Sequence, residues 1–175
     1  MRNWMMESEK IRILIIGGAS VGKTAIAQKF LSNTFQKKYE MTMAGEIHIK
    51  NVKYDNLEFD LIINDTPGEI RFKVARDSAY PGAKGALLVF DLTRLPTFNP
   101  TARERLKELW LGVKERIPVV IVGNKKDLEN FRSIRYNEAA EFCKQIPCPY
   151  IETSAKTGDG IEDAFKLLLN KIKKN

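Results

Sequence analysis

The run Gly17-Gly18-Ala19-Ser20-Val21-Gly22-Lys23-Thr24 has the residue types and spacing to hold a polyphosphate. It fits G-x-x-x-x-G-K-[ST]. Glycines let the backbone N–H groups from Gly17 through Ala25 turn inward around phosphate oxygens. Lys23 brings a cation to the β- and γ-phosphates, and the Thr24 hydroxyl is a hard oxygen suited to Mg²⁺. The run joins a strand-like segment to a helical one, so a helix N-terminus adds its positive end. An ordinary glycine turn is the competing reading, and the strand–loop–helix context speaks against it. By itself the motif specifies a nucleoside triphosphate and leaves the base open.

A second group addresses the base. Asn124-Lys125-Lys126-Asp127 reads N-K-x-D directly after an apolar run. An ionised aspartate only accepts hydrogen bonds. The Watson–Crick edge of guanine offers two donors, N1–H and N2–H₂, whereas adenine has an acceptor at N1 and no amine at C2. Asp127 therefore matches guanine and would leave a buried charge unpaired against adenine. Glu152-Thr153-Ser154-Ala155-Lys156 follows the last strand-like run and can aim a backbone N–H at the guanine O6.

The elements that must position these loops alternate. Residues 11–16, 86–90, 118–122 and 149–152 are short apolar runs that read as strands, and residues 46–64 hold two alternating strands around the turn signal Asp55-Asn56. Residues 23–32, 102–114, 137–145 and 161–173 read as helices. Such alternation predicts an α/β domain: a P-loop fold with a mainly parallel six-stranded sheet, one antiparallel edge strand and helices on both faces. Ligands of such sheets sit outside the carboxyl ends of the strands, where all the chemical motifs fall. One domain over residues 10–175 is expected, with residues 1–9 a loose overhang. His48, alternating with Ile47 and Ile49, is expected to face solvent.

Composition sets the remaining bounds. At 175 residues, 43% hydrophobic and 29% charged, the chain is sized for a single soluble globular domain. Its net charge of +7 suits polyanionic partners, or simply a solvated lysine-rich surface. No aromatic-rich basic motif supports nucleic-acid binding. Two cysteines, Cys143 and Cys148, are too few for a disulfide framework, which points to a reduced, cytoplasmic setting. No secretory, myristoylation or prenylation pattern is seen in the sequence, which leaves open a member that works without an anchor or a chain shortened of a lipidated tail. Lys166, Lys171, Lys173 and Lys174 could give weak contact with an acidic membrane at its periphery, with a solvated helix face as the alternative.

With three nucleotide motifs in order, the chain resembles the small GTPases of the Ras superfamily, with the Rab-like branch nearest. The resemblance runs from Lys10 to Lys173. Asp65-Thr66-Pro67-Gly68 resembles the family's D-x-x-G, and Phe35, Tyr39 and Thr42 resemble its first switch, F-x-x-x-Y-x-x-T. The resemblance implies a GTP/GDP switch that hydrolyses GTP with Mg²⁺. Thr24, Thr42 and Asp65 would hold the metal, Thr42 only when the γ-phosphate is present. Gly68 would offer its N–H to the γ-phosphate. Phe35 would pack on guanine, Lys125 would lie along the base and brace the phosphate loop, Ser154 would steady the base loop, and Ala155 would supply the N–H for O6. Lys23, Thr42, Gly68 and Glu69 would form the catalytic set. A monomer with effector, exchange-factor and activating-protein partners is implied.

The departures bear on rate and partners. Glu69 stands where the family has the glutamine that orients water. A carboxylate can accept a hydrogen bond from water and keep slow hydrolysis. Its charge beside a triphosphate can also oppose it, leaving a guanine-nucleotide-binding module with little or no turnover. Ala19 adds a methyl where an arginine finger would approach. Met43-Ala44 breaks the usual pattern after the switch threonine, and Asn64 before Asp65 is unusual.

Overall fold

The structure is a computed structural model. It describes residues 9–32, 38–42, 45–54, 57–146 and 148–174, with the backbone alone for 38–42 and 57. The overhang expected before residue 10 lies outside the described residues, apart from Glu9, which opens the first strand. The Asp55-Asn56 turn also lies outside them.

The strands are β1 (Glu9–Gly17), β2 (Lys38–Thr42), β3 (Gly45–Tyr54), β4 (Leu57–Asp65), β5 (Gly85–Asp91), β6 (Val119–Asn124) and β7 (Tyr150–Glu152). The helices are α1 (Lys23–Leu31), α2 (Lys73–Ala79), α3 (Leu95–Phe98), α4 (Thr101–Val113), α5 (Tyr136–Gln145) and α6 (Ile161–Lys173). They form a seven-stranded sheet in the order β2-β3-β4-β1-β5-β6-β7. Strands β4, β1, β5, β6 and β7 pair in parallel, and β3 runs antiparallel to β4 and β2. The mainly parallel P-loop α/β fold is therefore as expected. The short β2 adds a strand outside β3, so the reversed strand sits one in from the edge.

The central strands β1, β5 and β6 are buried on both faces, which is why they read as unbroken apolar runs. One face packs Ile13, Ile15, Leu87, Val89, Val120 and Val122 under α1 and α6. There Phe30 and Phe165 stack with centroids 3.7 Å apart, joining α1 to α6. Burying an aromatic ring of this size contributes about 2–3 kcal/mol. The other face packs Leu14, Ile16, Leu88, Phe90 and Ile121 under α2, α4 and α5. The thiols of Cys143 and Cys148 are buried there, which pushes them up to about 12 and about 11. Among the described residues no helix is long and apolar enough to cross a membrane.

Two positions differ from simple strand alternation. His48 is buried, 7% exposed, rather than solvent-facing. It pairs in register with Ile63, a core residue of the α1/α6 face, and its Nε2 lies 3.4 Å from the Glu46 carboxylate. Alternation tells which residues share a face, not which face the helices cover. Asn64 is 1% exposed, and among the described residues neither atom of its amide has a hydrogen-bond partner. It pairs in register with Leu14 and so lies on the α2/α4 face. An unmade buried amide costs about 1–3 kcal/mol. Asn64→Leu is therefore expected to raise stability by about that amount, with about 2–4 °C of midpoint per kcal/mol at this chain length. Thermal unfolding checks it, and a lowered midpoint would refute it.

Candidate functional site

The carboxyl ends of β1, β4, β6 and β7 bring the predicted loops to one end of the sheet. The chain leaves β1 at Gly17 and enters α1 at Lys23, with Gly22 as the helix cap at φ 98°. A side chain is excluded there twice over, since a Cβ would fall 2.3 Å from Asn124 Nδ2. Asn124 uses that closeness. Its Nδ2 donates to the Val21 carbonyl at 2.9 Å, and its Oδ1 accepts from Thr153 Oγ1 and the Ala155 N–H, both at 3.1 Å. One buried amide thus ties together the loops that follow β1, β6 and β7.

Lys23 is 7% exposed and donates across the loop to the Gly18 carbonyl at 2.8 Å. Burial lowers its ammonium to about 8, against the opposing pull of Asp65. The Thr24 hydroxyl is hydrogen-bonded to Asp65 Oδ2. The other carboxylate oxygen, Asp65 Oδ1, is buried without a partner among the described residues, and burial raises this carboxyl despite Thr24 and Lys23. A hydroxyl and a carboxylate beside a phosphate cradle, with one buried oxygen uncommitted, make a hard-oxygen set that fits Mg²⁺. That ion completes its shell with water and phosphate oxygens.

On the base side, Asp127 Oδ1 accepts from Ser154 Oγ at 2.6 Å, and Ser154 Oγ accepts from the Thr157 N–H at 3.1 Å. The hydroxyl thereby fixes the carboxylate relative to the Ala155 and Lys156 backbone. Lys125 adopts a left-handed backbone at φ 69°, and its ammonium meets the fully buried Asp91 carboxylate at 2.7 Å. Burial pushes Asp91 up, but hydrogen bonds from Lys125 and Thr93 hold it below the usual carboxylate range. In this geometry the brace to the phosphate loop comes from Asn124, while Lys125 is anchored to β5. Lys156 is exposed.

Past β4, Gly68 lies directly against the phosphate loop. A Cβ on it would fall 2.3 Å from the Gly18 carbonyl oxygen and 2.6 Å from Lys23 Nζ. Glu69 turns its half-exposed carboxylate to Arg71, 2.7 Å away, rather than into the cradle. Ala19 and Glu69 both line an open cavity of about 450 Å³ between the phosphate loop and the start of α4. Of the first-switch residues, the backbone of Tyr39 and Thr42 alone is described. Phe35 lies outside the described residues, as do the side chains of Tyr39 and Thr42. Thr42 pairs with Gly45 across the β2–β3 ladder, and β3 separates it from β4. Two strand spacings put its backbone about 10 Å from that of Asp65.

Sequence reasoning missed a buried cluster beneath residues 67–72 after β4, termed the second switch. Arg76 on α2, 1% exposed, binds Glu108 Oε1 through Nε at 2.7 Å. Arg105 binds Glu108 Oε2 at 2.8 Å, and the Tyr80 hydroxyl donates to Oε1 at 2.7 Å. Burial raises the Glu108 carboxyl, but Arg76, Tyr80 and Arg105 together hold it below its ordinary range. The i,i+3 spacing of Arg105 and Glu108 on a helix was the one available signal.

Comparison with known proteins agrees with this arrangement. The profile of the Ras family matches residues 12–174. The chain is similar to the Ras-related protein RabG2 of Dictyostelium discoideum, 34% identical over 98% of this chain and 86% of that protein. It is also similar to the Ras-related protein Rab-1C of the same organism, 35% identical over 94% of this chain and 82% of that protein. The chain belongs to the Ras family as a Rab-like small GTPase.

Proposed function

We propose that this small GTPase switch binds GTP with Mg²⁺ and hydrolyses it slowly to GDP and phosphate. The observation that supports this best is the meeting of the Thr24 hydroxyl and the Asp65 carboxylate beside the buried Lys23 ammonium, with Gly68 against the loop. When bound, Mg²⁺ would neutralise phosphate charge and orient the terminal phosphate. Thr24 and Asp65 would hold it, joined by Thr42 when the γ-phosphate is present. Lys23 lies along the β- and γ-phosphates, and the backbone of Gly17 to Ala25 cradles the rest. Asp127 accepts from the guanine N1–H and N2–H₂, while Ala155 donates to O6. Catalysis then rests on positioning and charge stabilisation for in-line attack by water. Partners read the segments around Thr42 and Gly68, ordered only with the γ-phosphate. Its Rab-named relatives favour a role in membrane trafficking.

Purified protein should carry a guanine nucleotide, and single-turnover GTP assays should form GDP slowly with Mg²⁺ and not with a chelator. Bound adenine nucleotide would overturn the assignment of Asp127. GTP persisting intact for many hours would favour the second reading, a binding module without turnover. One observation supports that second reading: the Glu69 carboxylate is paired with Arg71, away from the cradle. An unpaired glutamine at this place is freer to turn toward the attacking water. Glu69→Gln is accordingly expected to raise the single-turnover rate by about tenfold. A fall in rate would instead make Glu69 the working group.

A further inference from the structure

The cluster around Glu108 does more than fill the space under α2. The Arg76 guanidinium, besides its two contacts with Glu108, donates through Nη1 to the carbonyls of Pro67 at 3.2 Å and Glu69 at 2.5 Å. Arg105 Nη2 donates to the Gly68 carbonyl at 3.2 Å. Three consecutive carbonyls of the second switch are therefore held by two buried arginines, and one carboxylate from α4 holds both arginines.

The direction of those carbonyls matters. In a planar trans peptide the C=O and the following N–H point opposite ways. Fixing the Pro67 oxygen on Arg76 aims the Gly68 N–H away from the arginine, and fixing the Gly68 oxygen on Arg105 does the same for the Glu69 N–H. Among the described residues neither N–H has a protein acceptor. Gly68 touches Lys23, the residue assigned to the β- and γ-phosphates, so this edge lies at the terminal-phosphate end of the cradle.

We propose that Arg76 and Arg105, joined through Glu108, are positioning residues for GTP recognition. They hold the 67–69 backbone by its carbonyls and so preset the Gly68 N–H for the terminal phosphate. The idea rests on the guanine-nucleotide reading above. It makes the affinity difference between GTP and GDP depend on two residues that touch neither nucleotide. Arg, with a rigid fork, can span a carboxylate and a carbonyl together; Lys, a single ammonium, cannot do so in the same geometry.

The test measures Mg²⁺-dependent affinities for GDP and a non-hydrolysable GTP analogue in wild type, Arg105→Met and Arg105→Lys, with thermal midpoints alongside. Loss of the clamp should weaken the GTP analogue by about tenfold or more in Arg105→Met while GDP changes less than about twofold, because only GTP has the phosphate that the preset N–H serves. Arg105→Lys should fall between the two. If Arg105→Met fails to fold, Arg105→Lys carries the test with the same ratio. Equal weakening of both nucleotides, or a lowered midpoint with both affinities unchanged, would mean a merely structural cluster and overturn the proposal. A wild-type chain that binds neither nucleotide would overturn the guanine-nucleotide reading itself, and the clamp with it.

Discussion

Asp127→Asn should lower GTP affinity by about 10³–10⁴-fold and transfer preference to xanthosine triphosphate. On the proposed assignment guanine would meet Asp127 with two donors, and a carboxylate would answer both. An amide keeps one acceptor and turns a donor toward the purine 2-amino group, so a donor faces a donor in a buried site. Sites built on hydrogen-bond matching reject mismatched groups by such factors. Xanthine carries an oxygen where guanine carries that amine and restores the match. The substitution leaves the scaffold intact, because the amide oxygen can still accept from Ser154 Oγ, now 2.6 Å from Asp127 Oδ1. Displacement of a fluorescent guanine nucleotide by GTP and by xanthosine triphosphate measures both effects. A folded variant with unchanged GTP affinity would remove Asp127 from base recognition.

The largest loss of stability is expected from Glu108→Ala. It would strand two buried guanidinium groups, Arg76 and Arg105, whose charges now meet on one carboxylate. Removing one partner from a buried ionic group costs about 3–5 kcal/mol, which corresponds to a midpoint lower by about 6–20 °C for a chain of this size. Glu108→Gln, with its shape and one acceptor retained, should lose less. Acid distinguishes the two effects. The folded state holds the Glu108 carboxyl below its ordinary range, so the ionised form adds stability above that range and the benefit disappears as pH falls through the folded value. The gap between wild type and Glu108→Gln should therefore narrow on acidification in denaturant or thermal melts. A gap that stays constant with pH would show that the charge on Glu108 carries none of the stability.

Much of this was legible from local sequence. The phosphate loop, the Asn124–Asp127 loop and the Ser154–Lys156 loop each sit in a contiguous run after an apolar strand, and contiguous signals survive without coordinates. What stayed hidden was long-range or too short to show a period. Helices α2 and α3 have 7 and 4 residues, under two turns, and β2 has 5. Arg76 and Glu108 lie 32 residues apart, and a lone arginine on a helical segment reads as solvated surface. His48 obeyed alternation but faced the covered side. Asn124 could be read as part of a motif, but its tie to Val21, across 103 residues, could not.

Asn64 has a consequence for how the molecule breathes. α2 touches β3 and α4 touches β1, so β4, between those strands in the sheet, carries under that helical layer an amide with no partner among the described residues. When this layer lifts, water reaches the amide and the cost of about 1–3 kcal/mol is recovered. Local opening there is cheaper by the same amount, while the α1/α6 face, with its stacked aromatics, gains no such relief. Every 1.4 kcal/mol is a factor of ten in the open population, so amide protons of the second switch will exchange with solvent at rates set by a partial opening rather than by global unfolding. The residue beside Asp65 thus makes opening cheaper on the α2/α4 face, with no matching relief on the α1/α6 face.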